Sequence, residues 1–365
     1  AIADTLRAEA KSAIATAQAA GITVRMITGD HFETAYHIGR ELGLVHHRSE
    51  VFDSRQMSMM SDDDLAERLK TIRVCARVLP EYKHRILEIL KQHDITAMTG
   101  DGVNDIPALT NAHVGVAMGS GAQIAKDAGD IILLDNNFQS IVSAIHEGRT
   151  VYANIKRMVT YLLSTNLGEV LVSLGSLIVG LPLPLTPVQI LWINIVTDSA
   201  MVIPIGMEPG EARNMKQPPK PANAPLLSTF MISRIIIMAL LMAVLVLTLY
   251  ALFDHWHGAD YARTVAFCAL ATVQWAGAFE ARSDYESLFR RIKKRNTPFL
   301  VGLLVAVGLQ LIAIASPFAP YLHVAPITAT DFAAVTTVAF VLPIIVLELH
   351  KWFGRTFLGK RPELN

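Results

Sequence analysis

The sequence contains very little cysteine and no excess of either charge. Its 365 residues include two cysteines, Cys75 and Cys268, too far apart to form a disulfide framework, so both are interpreted as inert core thiols. Basic and acidic residues number 32 each, and a formal net charge of zero gives no support for a nucleic-acid-binding protein. No signal peptide precedes the first globular segment, and we expect the chain to be the middle and end of a longer protein.

Long apolar runs are absent from the first 150 residues and dominate the sequence from about residue 157 onward. The first part mixes charged and apolar positions in the manner of a soluble α/β protein. The chain is also long enough for two or more domains. We therefore predict a soluble domain over 1–146, a stalk and membrane domain over 147–353, and a tail over 354–365.

Short apolar strands alternate with helical patterns in the first part. Strands are predicted over 22–27, 74–77, 95–98, 114–118 and 131–134. Helices are predicted over 5–20, from about residue 31 to 42, over 61–70 with Ser61 as its cap, and from Pro80 onward. Such alternation favours a mainly parallel sheet that is covered by helices on both faces.

Glycines and carboxylates follow the predicted strand 95–98, in the segment TGDGVND (99–105). An open α/β sheet binds its ligand at the carboxyl ends of its strands. Asp101 and Asp105 suit a hard cation such as Mg²⁺, which prefers oxygen ligands, and Gly102 lets the backbone approach a ligand closely. An ordinary turn is the alternative for this segment when it is considered alone, because Gly, Asp and Asn also favour turns.

Two further polar groups follow other strands of the predicted sheet. Thr28-Gly29-Asp30 ends the first strand, and Lys83 lies in the first turn of the helix that begins at Pro80. Thr28 could donate a hydrogen bond to a phosphate oxygen, and Lys83 could neutralise charge that develops during phosphoryl transfer. Taken alone, Lys83 is also explained as a solvated helix lysine and 28–30 as a turn. Three such features in this order on one sheet favour a phosphoryl-transfer site.

Four segments of this part resemble the later part of the phosphorylation domain of P-type ATPases, a branch of the haloacid-dehalogenase-like fold. They are MITGD (26–30), ARVLPEYK (76–83), MTGDGVNDIPAL (98–109) and GVAMGSGAQIAKDAGDIILLDNNF (115–138). The resemblance implies a Rossmann-like parallel sheet with ATP as substrate and Mg²⁺ as cofactor. It implies that Thr28 and Lys83 contact the transferred phosphoryl group, that Asp101 coordinates Mg²⁺, and that Asn104 and Asp105 order the site.

The same resemblance identifies motifs of such enzymes that this chain lacks. The family's nucleophilic aspartate lies in Asp-Lys-Thr-Gly-Thr, and neither Asp-Lys-Thr, the actuator domain's Thr-Gly-Glu nor the nucleotide domain's Lys-Gly-Ala occurs here. Asp4 and Arg7 resemble the family's Asp-Pro-Pro-Arg without its prolines. We therefore expect that the chain alone does not autophosphorylate. It is part of a pump whose N-terminal part lies elsewhere, or a truncated, membrane-anchored fragment that binds Mg²⁺ or a partner without turnover.

Six apolar segments in the second part have the length of about 17 to 25 residues that a membrane-spanning helix requires. They cover approximately 158–180, 187–205, 230–253, 263–281, 298–317 and 332–350. Lysine and arginine occur in the loops 206–229 and 282–297 and in the tail, and are absent from 181–186, 254–262 and 318–331. By the positive-inside rule, we expect a six-helix bundle in the cell membrane, with the soluble domain, the basic loops and the tail on the cytoplasmic side.

Polar side chains inside the predicted spans share helix faces. Asn166 and Glu169 are three residues apart on the first span, and Asn194, Thr197 and Asp198 follow the helical period on the second. A charged side chain at mid-bilayer costs about 2.5–3.5 kcal/mol on insertion scales, so two carboxylates with amide and hydroxyl oxygens indicate a cation site. A hydrogen-bond network that holds the helices together is the alternative.

The segments LLSTNLGEV (162–170), PVQILWINIVTDS (187–199) and GMEP (206–209) resemble the fifth and sixth membrane helices of calcium-pumping P-type ATPases of the sarcoplasmic-reticulum kind. The resemblance implies that Asn166, Glu169, Thr197 and Asp198 bind one ion, and that Asn194 and Asp198 help to bind a second. Gln274, in the fourth span, stands where those calcium pumps have a glutamate. We expect Ca²⁺ as the transported cation, and this departure leaves Na⁺, K⁺ and H⁺ open.

Overall fold

The chain folds into two compact units in a computed structural model that describes residues 6–221 and 224–357. Unit 1 comprises Ala1–Arg149 with Gly210–Ala224, and unit 2 comprises Thr150–Pro209 with Pro225–Asn365. Asp4 and residues 358–365 of the predicted tail lie outside the described residues. The units are therefore described separately below.

Unit 1 alternates helices and short strands, as the apolar pattern predicts, but its strand at Val51–Asp53 was not among the five that were predicted. Its helices are α1 (Ala8–Ala19), α2 (Phe32–Glu41), α3 (Asp62–Leu69), α4 (Pro80–Lys91), α5 (Ile106–Asn111) and α6 (Gln123–Ala128). Its strands are β1 (Met26–Ile27), β2 (Val51–Asp53), β3 (Val74–Ala76), β4 (Ala97–Gly100), β5 (Val114–Met118) and β6 (Ile131–Leu133). The Ser61 hydroxyl accepts a hydrogen bond from the Asp64 backbone N–H, so the predicted cap of α3 is confirmed.

The strands of unit 1 pair only in parallel, which confirms the predicted fold class. They form two three-stranded sheets, in the orders β1-β3-β2 and β4-β5-β6, instead of the single sheet that we expected. In the first sheet Met26 pairs with Val74, and in the second Met98 pairs with Gly115. Within residues 6–221 and 224–357, each of β1 and β4 therefore has a paired neighbour on one side only.

The first sheet is held by an apolar core beneath β3, whose three residues are all buried. Leu65 and Leu69 of α3 and Ile86 and Ile89 of α4 pack with Cys75 in this core. Burial raises the pKa of the Cys75 thiol to about 12, in agreement with its interpretation as an inert core thiol. The strand that was predicted over 74–77 ends at 76, because Arg77 has a left-handed φ of 56° and turns the chain.

The second chain segment of unit 1, Gly210–Ala224, is held to the first segment by Arg149. The Arg149 guanidinium donates hydrogen bonds to the carbonyl oxygens of Asn214 (2.7 Å) and Gln217 (2.8 Å), and to that of Ala20 (3.1 Å). Gly21 has a φ of 74°, and a Cβ there would lie 2.7 Å from the Cα of Pro218. Glycine is thus required at position 21, both for its backbone conformation and for this close approach.

The secondary-structure elements of unit 2 are all helices in its described residues. Its first helix, α7 (Phe138–Ile178), begins within unit 1 and continues into unit 2. The chain continues through α8 (Pro187–Trp192), a π-helical turn (Ile193–Asp198) and α9 (Ser199–Gly206). The remaining helices are α10 (Thr229–His257), α11 (Ala259–Ala281), α12 (Leu288–Arg291), α13 (Thr297–Ala315) and α14 (Ala329–Phe357).

Five helical segments in the described part of the chain are long and apolar enough to cross a membrane. They are Phe138–Ile178, Pro187–Gly206, Thr229–His257, Thr297–Ala315 and Ala329–Phe357. The predicted fourth span, 263–281, is helical as part of α11, but it is not among these five. Helix α11 is buried along almost its whole length and packs against α10 and α14. Since it faces protein on most sides, its sequence can be rich in alanine and polar residues rather than in large apolar side chains.

Candidate phosphoryl-transfer and cation sites

The predicted phosphoryl-transfer residues follow the carboxyl ends of three strands of unit 1. Thr28 comes directly after β1, Lys83 lies in the first turn of α4 after β3, and Asp101 comes directly after β4. The Val78 backbone N–H donates to the Thr28 carbonyl oxygen at 3.0 Å, which links the end of β1 to the segment that leads into α4. The sequence thus places each group at the strand end where parallel sheets bind ligands.

Lys83 and Asp105 form a close ion pair in the structure. The Lys83 ammonium donates to Oδ1 of Asp105 at 2.8 Å. Oδ2 of the same carboxylate accepts from the backbone N–H groups of Asp101 and Gly102, both at 3.4 Å. A Cβ at Gly100 would lie only 2.5 Å from the Cβ of Asp105, so glycine is needed there to admit this side chain. Asp105 therefore orders the loop and orients the lysine at the same time.

Asp101 is held by its backbone, and its side chain is exposed. Its carbonyl oxygen accepts from the Ala122 N–H at 2.9 Å, and a Cβ at Gly121 would come within 2.6 Å of that oxygen. Within 6–221 and 224–357, no group of three His, Cys, Asp or Glu side chains could hold a metal ion. An exposed carboxylate still fits Mg²⁺, because this ion is usually bound by one or two carboxylates together with waters and substrate phosphates.

The turn at residues 28–30 is closed by its own hydrogen bonds. The Thr28 hydroxyl donates to Oδ2 of Asp30 at 2.8 Å and accepts from the Asp30 N–H at 3.1 Å. A Cβ at Gly29 would meet no atom within 4 Å, so the backbone is open to a ligand at this position. In the described residues, no hydrogen bond or ion pair links this turn to Lys83 or Asp101. Asn104 is exposed and makes no side-chain hydrogen bond within the described part of the chain, so its role in ordering the site stays a prediction.

Sequence reasoning missed Arg77, which lies beside this turn. Its backbone N–H donates to the Asp30 carbonyl at 2.9 Å, and its guanidinium contacts Nδ1 of His31 at 2.7 Å and Oδ2 of Asp53 at 3.7 Å. The side-chain hydrogen bond from Arg55 lowers the pKa of Asp53, which keeps this carboxylate charged opposite Arg77. The sequence pattern did not indicate a role for Arg77, because the strand predicted over 74–77 included this residue.

In unit 2, Glu169 joins three helical segments. Its Oε2 accepts from Nδ2 of Asn194 in the π-helical turn at 2.7 Å, and its Oε1 accepts from Nε2 of Gln274 in α11 at 2.8 Å. Gln274 is fully buried, and its Oε1 has no hydrogen-bond partner in the described part of the chain. A buried carbonyl oxygen without a partner is uncommon, and this oxygen remains available to accept a hydrogen bond or to bind a cation.

Asp198 is held by two hydroxyl groups of α7. Its Oδ1 accepts from the Tyr161 hydroxyl at 2.9 Å, and its Oδ2 accepts from the Thr165 hydroxyl at 3.0 Å. Asp198, Tyr161 and Thr165 are all buried. Sequence reasoning missed the two hydroxyl residues, although Tyr161, Thr165 and Glu169 follow one another at intervals of four on a single helix face.

Thr197 and Asn166 do not join either carboxylate. The buried Thr197 hydroxyl donates to the Ile193 carbonyl of its own helix at 2.7 Å. Asn166 is exposed, and its amide donates to the Leu162 carbonyl at 2.7 Å. Of the predicted cation ligands, the structure therefore brings Glu169, Asn194 and Gln274 together, and places Asp198 in a separate set with Tyr161 and Thr165.

The π-helical turn is a local feature of functional interest in its own right. It spans Ile193–Asp198 and carries Asn194, Thr197 and Asp198. Single turns of π-helix are rare and occur frequently at functional sites, since the wider turn displaces side chains from the α-helical register. The helix that supplies one carboxylate is thus irregular at the very residues that were predicted to bind a cation.

Comparison with known families matches both parts of the chain. A family profile described as "Cation transporting ATPase, C-terminus" matches residues 182–353. Two profiles described as "haloacid dehalogenase-like hydrolase" match residues 1–113 and 84–145. The boundaries agree with a parallel-sheet unit followed by a helical unit.

Several curated proteins are similar to nearly the whole chain. The "Calcium-transporting ATPase" of Bacillus subtilis is 37% identical over 339 residues, which are 92% of this chain and 38% of that protein. The "Calcium-transporting ATPase 1" of Bacillus cereus is 36% identical over 367 residues, covering 95% of this chain and 41% of its own length. The "Probable cation-transporting ATPase F" of Mycobacterium tuberculosis is 38% identical over 358 residues, which are 95% of this chain and 39% of that protein. The chain thus spans about two fifths of the length of the curated relatives it matches.

Proposed function

The chain belongs to the family of cation-transporting P-type ATPases, and from this premise we propose that it is part of an ATP-driven pump for Ca²⁺. The pump would couple the formation and hydrolysis of an aspartyl phosphate to transport of the ion across a membrane. One observation carries the proposal: a single chain combines the Lys83–Asp105 loop with two buried carboxylates, Glu169 and Asp198, on apolar helices.

The two sheets of unit 1 support a contribution from a segment outside this chain. Among the described residues, strands β1 and β4 each lack a partner on one side, and Ala97 in β4 is exposed although parallel strands are normally buried on both faces. A parallel strand between them would join both sheets into one. Its carboxyl end would then lie near Thr28 and Asp101. We place the nucleophilic aspartate, which this chain lacks, at the end of such a strand.

The residues of unit 1 have distinct roles in this scheme. Lys83, oriented by Asp105, would neutralise charge on the transferred phosphoryl group, and the Thr28 hydroxyl would donate to one of its oxygens. Asp101 would hold Mg²⁺, which when bound neutralises phosphate charge. The ordered backbone of residues 100–102 would keep these groups in place, so little reorganisation is needed during the reaction.

The helices of unit 2 provide oxygen ligands for a divalent cation. Two carboxylates balance the charge of one Ca²⁺, and the amide oxygens of Asn194 and Gln274 add neutral ligands of the kind that this ion accepts. Each carboxylate accepts hydrogen bonds from two N–H or O–H donors. Ion binding would replace these donors by the cation, with the amides turned so that their oxygens face it. Gln274 in place of a third carboxylate is the observation that favours the alternative of a monovalent ion.

Direct binding by the purified chain tests the cation site without the rest of the pump. We expect saturable Ca²⁺ binding in detergent by isothermal titration, and loss of that binding in Glu169→Gln and in Asp198→Asn. Asp331→Asn is the matched control, because Asp331 is an aspartate of α14 that contacts Tyr261 and Thr328 instead of the two carboxylates. Binding that survives both site variants would refute the assignment of these residues.

The remaining alternative is a truncated, membrane-anchored fragment that has no turnover. The gene sequence upstream of the codon for Ala1 discriminates between the two. An open frame that encodes Asp-Lys-Thr-Gly-Thr supports the pump, and a start codon at this point supports the fragment. For the pump, we further propose that unit 1 and the basic loops 206–229 and 282–297 face the cytoplasm of a cell membrane. Protease accessibility in sealed vesicles tests this orientation.

A further inference from the structure

The carboxylate of Glu208, two residues after the end of α9, collects four side-chain hydrogen bonds. Its side chain is fully buried. Arg282 donates from Nε and from Nη2, both at 3.1 Å, and Arg291 donates from Nε at 2.9 Å. The Asn296 amide donates the fourth bond. We call Glu208, Arg282, Arg291 and Asn296 the Glu208 cluster.

The backbone at Glu208 is bonded to α7. Nδ2 of Asn154 donates to the carbonyl oxygens of Gly206 (3.1 Å) and Glu208 (2.8 Å), and Oδ1 of Asn154 accepts from Arg157 at 2.8 Å. Asn154 is itself buried. The end of α9 is therefore fastened on one side to α7 and on the other to the segment between α11 and α13.

The position of this cluster along the chain is unusual. Unit 2 begins at Thr150, four residues before Asn154, and its first segment ends at Pro209, one residue after Glu208. Two of the points at which the chain passes from one unit to the other therefore lie beside the Glu208 cluster. The same two helical segments carry the carboxylates of the proposed cation site. Glu169 lies about 22 Å along α7 from Asn154, and Asp198 lies about 12 Å before Gly206, the last residue of α9, at 1.5 Å per residue.

We propose that Glu208 is a positioning residue that makes α7 and α9 move together. A movement caused by cation binding would then be transmitted to both points at which the chain passes between the units. The inference rests on the proposed function. The cluster fixes the C-terminal end of α9, and the π-helical turn at 193–198 is left as the segment that can change its winding when Asp198 binds a cation. A displacement of α9 is then passed to α7 through the bond from Asn154.

The charge balance explains why a carboxylate is needed here. Arg282 has Glu208 as its acidic partner, whereas Arg291 also contacts Glu286 at 3.5 Å. Glu208→Gln keeps the size of the side chain and leaves the buried Arg282 without its counter-charge. Such a loss of one partner is more disruptive than removal of both. The double variant Glu208→Gln/Arg282→Gln therefore separates the electrostatic defect from the loss of positioning.

The experiment uses the full-length protein and compares wild type with Glu208→Gln. Ca²⁺ binding without ATP, phosphorylation by inorganic phosphate without Ca²⁺, and Ca²⁺-activated phosphorylation by ATP are measured on each. We expect binding and phosphorylation by inorganic phosphate to stay close to wild type, while Ca²⁺-activated phosphorylation by ATP falls about tenfold or more. Glu280→Gln is the matched control, because Glu280 is also fully buried, pairs with Lys351 at 2.7 Å, and has no hydrogen bond or ion pair to α7 or α9 within the described residues.

Four results would overturn the proposal. They are wild-type coupling in Glu208→Gln, an equal loss of all three activities in that variant, an equal coupling defect in Glu280→Gln, and recovery of coupling in the double variant. Recovery of thermal stability without recovery of coupling in the double variant supports the proposal. In that variant the unpaired charge of Arg282 is removed, but the contacts that position Glu208 are still missing. A wild-type protein whose phosphorylation responds to no cation would instead refute the proposed function, and this inference with it.

Discussion

Gln274→Glu is the substitution whose effect follows most directly from the geometry of the cation site. The Gln274 amide donates to Oε1 of Glu169 at 2.8 Å. A carboxylate at this position loses that hydrogen bond and faces Glu169 with a like charge. Both effects destabilise the cation-free site, and the cation-bound site gains a charged ligand. Affinity for a divalent cation should therefore increase.

The magnitude of the increase can be estimated from the lost contact. A hydrogen bond to a charged group contributes about 1.5–3 kcal/mol, and 1.4 kcal/mol corresponds to about a tenfold change in a dissociation constant. We thus expect Ca²⁺ binding to tighten by about 10- to 150-fold at neutral pH. The gain should shrink as the pH is lowered, because two adjacent carboxylates then share a proton that the cation must displace.

Equilibrium Ca²⁺ titration of the purified chain measures this effect. Gln310→Glu is the matched control, since Gln310 is a buried glutamine of α13 that contacts Trp192 rather than Glu169. The control should not tighten binding. An unchanged or weaker Ca²⁺ affinity in Gln274→Glu would refute the placement of Gln274 in the site.

Three further predictions concern other parts of the molecule. Asp101→Asn should abolish phosphoenzyme formation by the full-length protein, because Mg²⁺ loses its carboxylate ligand; normal labelling with radioactive ATP would contradict this role. Glu169→Gln should weaken Ca²⁺ activation and spare phosphorylation by inorganic phosphate, and an unchanged Ca²⁺ dependence would argue against the site. Asp53→Asn should lower the melting temperature of the chain at neutral pH. Since the folded-state pKa of Asp53 lies below its usual 3.8, this difference should vanish as the pH falls through that lowered pKa, and a constant difference would exclude the Asp53–Arg55 contact as its cause.

The sequence predicted those features that depend on local pattern. Short apolar runs that alternate with helical patterns predicted parallel strands, though not β2, and placed Lys83 and Asp101 after separate strands. The helical period placed Glu169 and Asp198 on faces that are buried in the structure. Both successes arise because a strand or helix fixes the direction of its side chains over a few residues.

The features that were missed depend on contacts between distant segments. Tyr161 and Thr165 are ordinary helix residues until Asp198 of another helix meets them. Helix α11 was predicted as one more apolar span, and its burial among other helices explains why it is less apolar than the five candidates. Glu208 was noted only as part of a short motif, since no local rule predicts that two arginines more than 70 residues away will surround it.

The central claim is that cation binding at the buried carboxylates controls phosphorylation of the same pump. The most direct test is phosphoenzyme formation from ATP by the full-length protein, with Ca²⁺, Na⁺, K⁺ and Mn²⁺ titrated separately, in wild type and in Asp198→Asn. We predict that micromolar Ca²⁺ switches phosphorylation on in wild type and that the variant loses this response. Phosphorylation that ignores Ca²⁺ and depends on a monovalent ion would contradict the calcium assignment, and a response that persists in Asp198→Asn would contradict the site.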